Sequence, residues 1–208
     1  MSEEKNPREY WLLQHGGDAF IYQSLDEFPP DGDKSLLVHV REVIDETWQS
    51  DASVRKYEFT GETRQHGGVT LRQIRRISDG EIGGWIESEK NLSHEGDAWV
   101  SGNAKVYCNA WVSGNAKVYC NAQVRGNAIV CDIARVSNNA MVCGNAMVYG
   151  NAQVYGNAKV YGNAQVRGNA IVCDIARVSN NAIVCGNAII TGNDILSSNV
   201  QVFGCEDD

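Results

Sequence analysis

The sequence predicts a mainly all-β protein, a parallel β-solenoid with a small β-rich domain ahead of it. Three observations carry this. Every sixth residue from Val100 through Val184 is valine, continued by Ile190, Leu196 and Val202. Two places before each stands alanine, from Ala98 through Ala188, with departures only at Asp194 and Val200. Glycine and asparagine fill the remaining fixed places, as in Asn151-Ala152-Gln153-Val154-Tyr155-Gly156. A period this short, held over eighteen units without an insertion, defines a repeat architecture before any other structural argument is made.

Within one unit the side chains of Ala-x-Val-x alternate, so Ala and Val share one side and the two variable residues the other. Gly and Asn then turn the chain, because they enter positive φ at low cost. A strand this short cannot bury its own apolar face. It becomes stable by stacking on its neighbours, which makes the array a parallel solenoid.

Ahead of the repeat, residues 1–50 read as a small acidic β-rich domain. Tyr10-Trp11-Leu12-Leu13, Ala19-Phe20-Ile21-Tyr22 and Leu36-Leu37-Val38-His39-Val40 are expected strands, separated by Gly16-Gly17 and by Pro29-Pro30-Asp31-Gly32-Asp33. A short helix is expected through residues 41–44. Residues 51–96 form a hairpin and lead-in segment, with strands at Lys56-Tyr57-Glu58-Phe59 and Val69–Ile74 and with Gly61 and Gly67-Gly68 in the connection. Residues 97–208 are the repeat.

The recurring aliphatic residue, with a small residue four places on, resembles the hexapeptide-repeat family. That resemblance implies a left-handed parallel β-helix with three hexapeptides per triangular coil, hence about six coils for eighteen units. At about 4.8 Å between stacked strands the prism would be on the order of 29 Å long. Asparagines at the corners would stack in ladders. Leu71 to Ile77, Gly83-Gly84-Trp85-Ile86, Asn91-Leu92-Ser93 and Gly96-Asp97-Ala98-Trp99-Val100 are moreover similar to the lead-in segment of YdcK-type hexapeptide-repeat proteins. This family occurs in bacteria and often in phages and prophages, and it carries a transferase label that rests on fold analogy, which is no argument for chemistry. Residues 1–50 fall outside the resemblance.

Composition narrows the functional classes. The chain has 208 residues, 43% of them hydrophobic, enough for a core. It opens Met1-Ser2-Glu3-Glu4-Lys5 and has no long apolar run, so a cytoplasmic protein without membrane contact is expected. Its seven cysteines are odd in number and follow the repeat, so reduced thiols are expected instead of a disulfide plan. Residues 1–96 hold nineteen acidic and eleven basic residues, whereas residues 97–208 hold seven of each. A neutral shaft is a poor ligand for nucleic acid, which demands clustered Lys and Arg. The acidic stretch, with Asp26, Glu27, Asp31 and Asp33 at its centre, suits the basic surface of a protein partner, although ordinary solubility is the commoner reason for such charge.

A catalyst is not expected, nor a cofactor or a metal. Hexapeptide acyltransferases use a His on a loop that interrupts the coils, with the acyl donor between subunits. Here His15, His39, His66 and His94 all precede the repeat, and nothing on the shaft replaces a general base. The cysteines are read as small apolar fillers. An acyltransferase-like enzyme with an inter-subunit site stands as the alternative reading.

With three units per coil, outward residues eighteen apart stack in columns. The most apolar column runs Trp111, Ile129, Met147, Gln165, Ile183, Gln201, accompanied by Tyr149 and Phe203. The others begin at Trp99 and Lys105. An apolar stripe rimmed by polar residues marks a contact surface, here for a protein partner or a second copy, unless the N-terminal domain covers it. An ice-binding face would need threonine arrays, and the shaft has only Thr191. Residues 121–146 recur at 163–188 with one difference, Met141 against Ile183. The shift of seven units is not a multiple of three, so the copies fall on different faces and the shaft reads as an expanded spacer.

Overall fold

In the computed structural model, residues 55–204 are described in full, together with the backbone of three strands nearer the N-terminus. The chain divides into two compact units, Met1–Ala52 and Ser53–Asp208. In the first, β1 (Glu9–His15), β2 (Asp18–Tyr22) and β3 (Leu37–Arg41) form an antiparallel sheet in the order β2-β1-β3, with Trp11 opposite Tyr22 on one side and His39 on the other. The helix expected through residues 41–44 lies outside the described residues, except that Arg41 ends β3.

The second unit is a parallel β-solenoid of about seven turns. Eighteen short strands, from Trp99–Val100 to Gln201–Gly204, sort into three sheets in which each strand pairs in parallel with the one eighteen residues on. Lys117 lies opposite Trp99 and Arg135, Gln123 opposite Lys105 and Met141, Ile129 opposite Trp111 and Met147. Every alanine and valine of the period from Ala98 to Val184 is fully buried. The interior is thus a column of small and medium aliphatic side chains, closed to solvent. The two copies of the duplicated segment fall on different sheets, since Arg135 pairs with Lys117 and Arg177 with Lys159.

The expected six coils become about seven because the lead-in segment builds one more. In β6 (Ile82–Ile86), Ile86 lies opposite Val106, and Leu92 bridges to Val112, so both take inward places. Each is twenty residues from its partner instead of eighteen. Ile86 and Leu92 are six apart, but eight residues separate Leu92 from Val100, and this longer turn hides the coil from a six-residue reading.

The hairpin extends the same sheet outward in the order β6-β5-β4, where β4 spans Tyr57–His66 and β5 Val69–Arg76. Gly61 does not belong to the connection. It sits at φ +96° within β4, where the register shifts between Phe59 and Thr63, while Gly67-Gly68 alone make the turn. Gly84 is needed for a different reason: a Cβ there would stand 2.9 Å from the carbonyl oxygen of Ala104 and 2.8 Å from a methyl of Val100, so only glycine lets β6 lie on the first coil.

The corners follow the expected chemistry, with exceptions that explain themselves. Asn109, Asn127, Asn145, Asn163, Asn181 and Asn199 form one ladder, each side-chain amide donating to the next carbonyl oxygen at 2.9–3.1 Å. Two shorter ladders join Asn121, Asn139 and Asn157, and Asn151, Asn169 and Asn187. Ile133 and Ile175 interrupt the pattern. At each, the preceding residue, Asp132 or Asp174, occupies the left-handed corner at φ 58° and its carboxylate accepts the N–H of Gly150 or Gly192 in the next coil. The carboxylate thereby replaces the missing amide rung. Cys108 and Cys120 also stand at left-handed corners, with φ 60° and 61°, a conformation that costs an L-residue roughly 1 kcal/mol.

Candidate functional site

The repeat holds Trp111, Ile129, Met147 and Ile183 on one sheet with their side chains outward, as the period requires. Trp111 is 46% exposed and Phe203 63%, while Ile129, Met147, Tyr149 and Ile183 are half-buried against their ladder neighbours. All six predicted shaft residues therefore share a face. That face is not one unbroken stripe. Gln165 separates Met147 from Ile183, the hydroxyl of Tyr149 lies 3.3 Å from its Oε1, and exposed Arg167 follows. Cys185 beside Phe203 is buried. The acidic candidates Asp26, Glu27, Asp31 and Asp33 lie outside the described residues.

Trp99 and Trp85 show what the hairpin does. Trp99 heads an outward column, yet it is buried, because Arg76 of β5 lies 4.4 Å over its ring and its indole N–H donates to Glu81 at 3.0 Å. Trp85 is covered likewise by Arg64, 4.0 Å over its ring. Of the three outward columns, the one starting at Trp111 keeps its leading tryptophan open to solvent.

Sequence reasoning missed a second set of exposed apolar residues, Ile133 and Ile175 at the corners, about half exposed. Reading only strand positions overlooks corners, and the available signal was isoleucine where the period demands asparagine. Ile189 and Ile195, both in the last coil, are each 61% exposed.

Of the histidines, His94 lies in the long turn of the lead-in coil. Its Nδ1 accepts the Lys56 backbone N–H at 3.2 Å, and its ring stacks on Tyr57 with centroids 4.2 Å apart. Burial pushes its pKa down, opposed by the charge of Glu89. Its Nε2 is buried without a hydrogen-bond partner among the described residues. His66 stands edge-on to Tyr107 at 5.5 Å. The side chains of His15 and His39 are outside the described residues. The six described cysteines are all free thiols. Among the described residues no three His, Cys, Asp or Glu side chains are grouped to hold a metal, and no helix is long and apolar enough to cross a membrane.

A parallel stack of hexapeptide coils with solvent-facing side-chain columns defines a β-solenoid repeat protein. In agreement, a family model described as the YdcK beta solenoid repeat matches residues 142–156 and 152–168, two overlapping stretches in the middle of the shaft. The comparison with curated proteins returned no match.

Proposed function

We propose that the protein acts by contact, as a non-catalytic scaffold whose Trp111 face and acidic N-terminal unit bind protein surfaces. The observation that supports this most is the uninterrupted shaft: hexapeptide follows hexapeptide from Trp99 to Gly204 without an inserted loop to carry a catalytic group. The finer reading is a cytoplasmic phage or prophage accessory factor that inhibits a host defence complex by direct contact. It draws on the resemblance of the lead-in segment to a family common in phages, and on the surplus of acidic residues ahead of the shaft. Such charge favours encounter with a basic partner.

Two variants of the full chain test the reading, after affinity purification and mass spectrometry have identified the partner. Replacing His15, His39, His66 and His94 together by Gln leaves the biological effect intact in a protein that still folds, because no proton transfer is asked of them. Reversing Asp26, Glu27, Asp31 and Asp33 to Lys weakens partner binding and flattens its salt dependence. The opposite pair of outcomes overturns the scaffold and restores the acyltransferase-like alternative.

The same face suits a homo-oligomer, since a closed assembly buries identical patches against one another. Light scattering at tens of micromolar is expected to give a mass above that of a monomer, and Trp111→Glu to shift it toward the monomer. A clean monomer for the parent chain leaves the face to another partner.

A further inference from the structure

Where the hairpin meets the first coils there is a cavity of about 400 Å³, lined by Lys56, Arg76, Ser78, Asp97, Ala98 and Lys117. Its cations come from unrelated parts of the chain: Lys56 just before β4, Arg76 at the end of β5, and Lys117 on the second strand of the Trp99 face. The Lys56 ammonium donates to the Gly96 carbonyl oxygen at 3.2 Å, and Lys117 donates to the carbonyl oxygen of Asp97 at 2.5 Å. Each thus holds a neutral oxygen. Among the described residues neither lysine is ion-paired with a carboxylate, whereas Arg76 is held by Asp79 at 2.8 Å and Glu81 at 2.6 Å.

The charges around Lys56 agree with that geometry. The Lys56 ammonium is pushed down to about 8, first by burial and next by Lys117, with Asp97 opposing and Arg76 adding to the depression. Cations outweigh anions at that nitrogen. Two donors with protons to spare, converging on a cavity in the size range of small-molecule sites, form an arrangement completed by an oxyanion. Arg76 contributes a fixed wall, pinned by its two carboxylates and by Trp99. Ser78 adds a hydroxyl that donates to an anion without bringing charge.

We propose that this cavity is a binding site for a small molecule carrying a phosphate or carboxylate group, held between the ammonium groups of Lys56 and Lys117. Asp97 sits on the same lining and disfavours a second negative charge close by, so it limits the net charge of the ligand.

Titration calorimetry of the full chain in low-salt buffer, with inorganic phosphate and separately with citrate as probes, tests this. Saturable binding of at least one probe is expected, weakened roughly tenfold or more by Lys56→Gln and by Lys117→Gln, and tightened by Asp97→Asn. Phosphate alone binding assigns the phosphoryl group, and citrate alone assigns the carboxylate. Lys159→Gln, on a different face of the shaft, serves as the control and leaves the affinity unchanged. Lys56→Arg, which keeps the charge, retains more binding than Lys56→Gln, and circular dichroism confirms the fold of every variant. Absence of saturable binding to either probe overturns the proposal, as does equal loss in the Lys159→Gln control.

Discussion

Val154→Asp unfolds the solenoid, while Tyr155→Ser at the adjoining outward position lowers its melting temperature by only a few degrees. Val154 is fully buried and lies in the parallel ladder between Val136 and Val172, with Ala152 beside it. That column is lined by fully buried alanine and valine side chains, which offer a carboxylate no hydrogen-bond partner, so it is either an unpaired charge or an acid without an acceptor. Either form costs several kcal/mol, against a total stability of roughly 5–15 kcal/mol for a domain. The loss is amplified because a solenoid coil touches only its two neighbours, so one broken coil uncouples the shaft on either side. Tyr155 keeps its backbone N–H bond to the Val172 carbonyl whatever its side chain. Thermal unfolding followed by circular dichroism decides the matter, and equal shifts for the two variants contradict the inward and outward assignment.

Asn91→Asp, a change of one side-chain group with almost no change of shape, loosens the lead-in coil. Asn91 is fully buried and uses its whole hydrogen-bonding capacity. Its Oδ1 accepts the N–H groups of Glu87 at 3.2 Å and Ser88 at 2.9 Å, and its Nδ2 donates to the carbonyl oxygens of Cys108 and Ala110, both at 2.9 Å. It therefore ties the lead-in chain to the corner of the next coil. Aspartate preserves the acceptor but sets an oxygen against two carbonyl oxygens, leaving both without donors and adding repulsion. A loss of about 3 kcal/mol or more follows from two unsatisfied buried acceptors and a desolvated charge. Asn103→Asp, at an exposed corner, changes stability little. Melting temperatures that agree within a degree for these two variants would show that Asn91 does not fasten the coil.

The difference between these two sites also measures how far the fold is legible in the chain. Val154 announces its place, because the period sets valine at every inward site from Val100 to Val184 and each of them is fully buried. The inward valines, the outward columns, the asparagine ladders and the displacement of the duplicated segment to another face all follow from a shift of eighteen residues between coils. Asn91, by contrast, belongs to a turn of irregular length, and its four partners are set by the route of the chain around that turn. The lead-in coil escaped the six-residue reading for the same reason, since Ile86 and Leu92 meet partners twenty residues on.

The candidate surface divides in the same way. Which residues share the Trp111 face was determined by the sequence, because strand alternation and the coil length leave no freedom. Which outward residues remain exposed was decided by the tertiary structure, where the hairpin closes over Trp85 and Trp99 and leaves Trp111 open. The cavity between Lys56, Arg76 and Lys117 is likewise a product of the three-dimensional fold alone. Its physical basis is the docking of an irregular hairpin on a regular shaft. A repeat specifies contacts at one fixed separation, and residues 56, 76 and 117 are related by none.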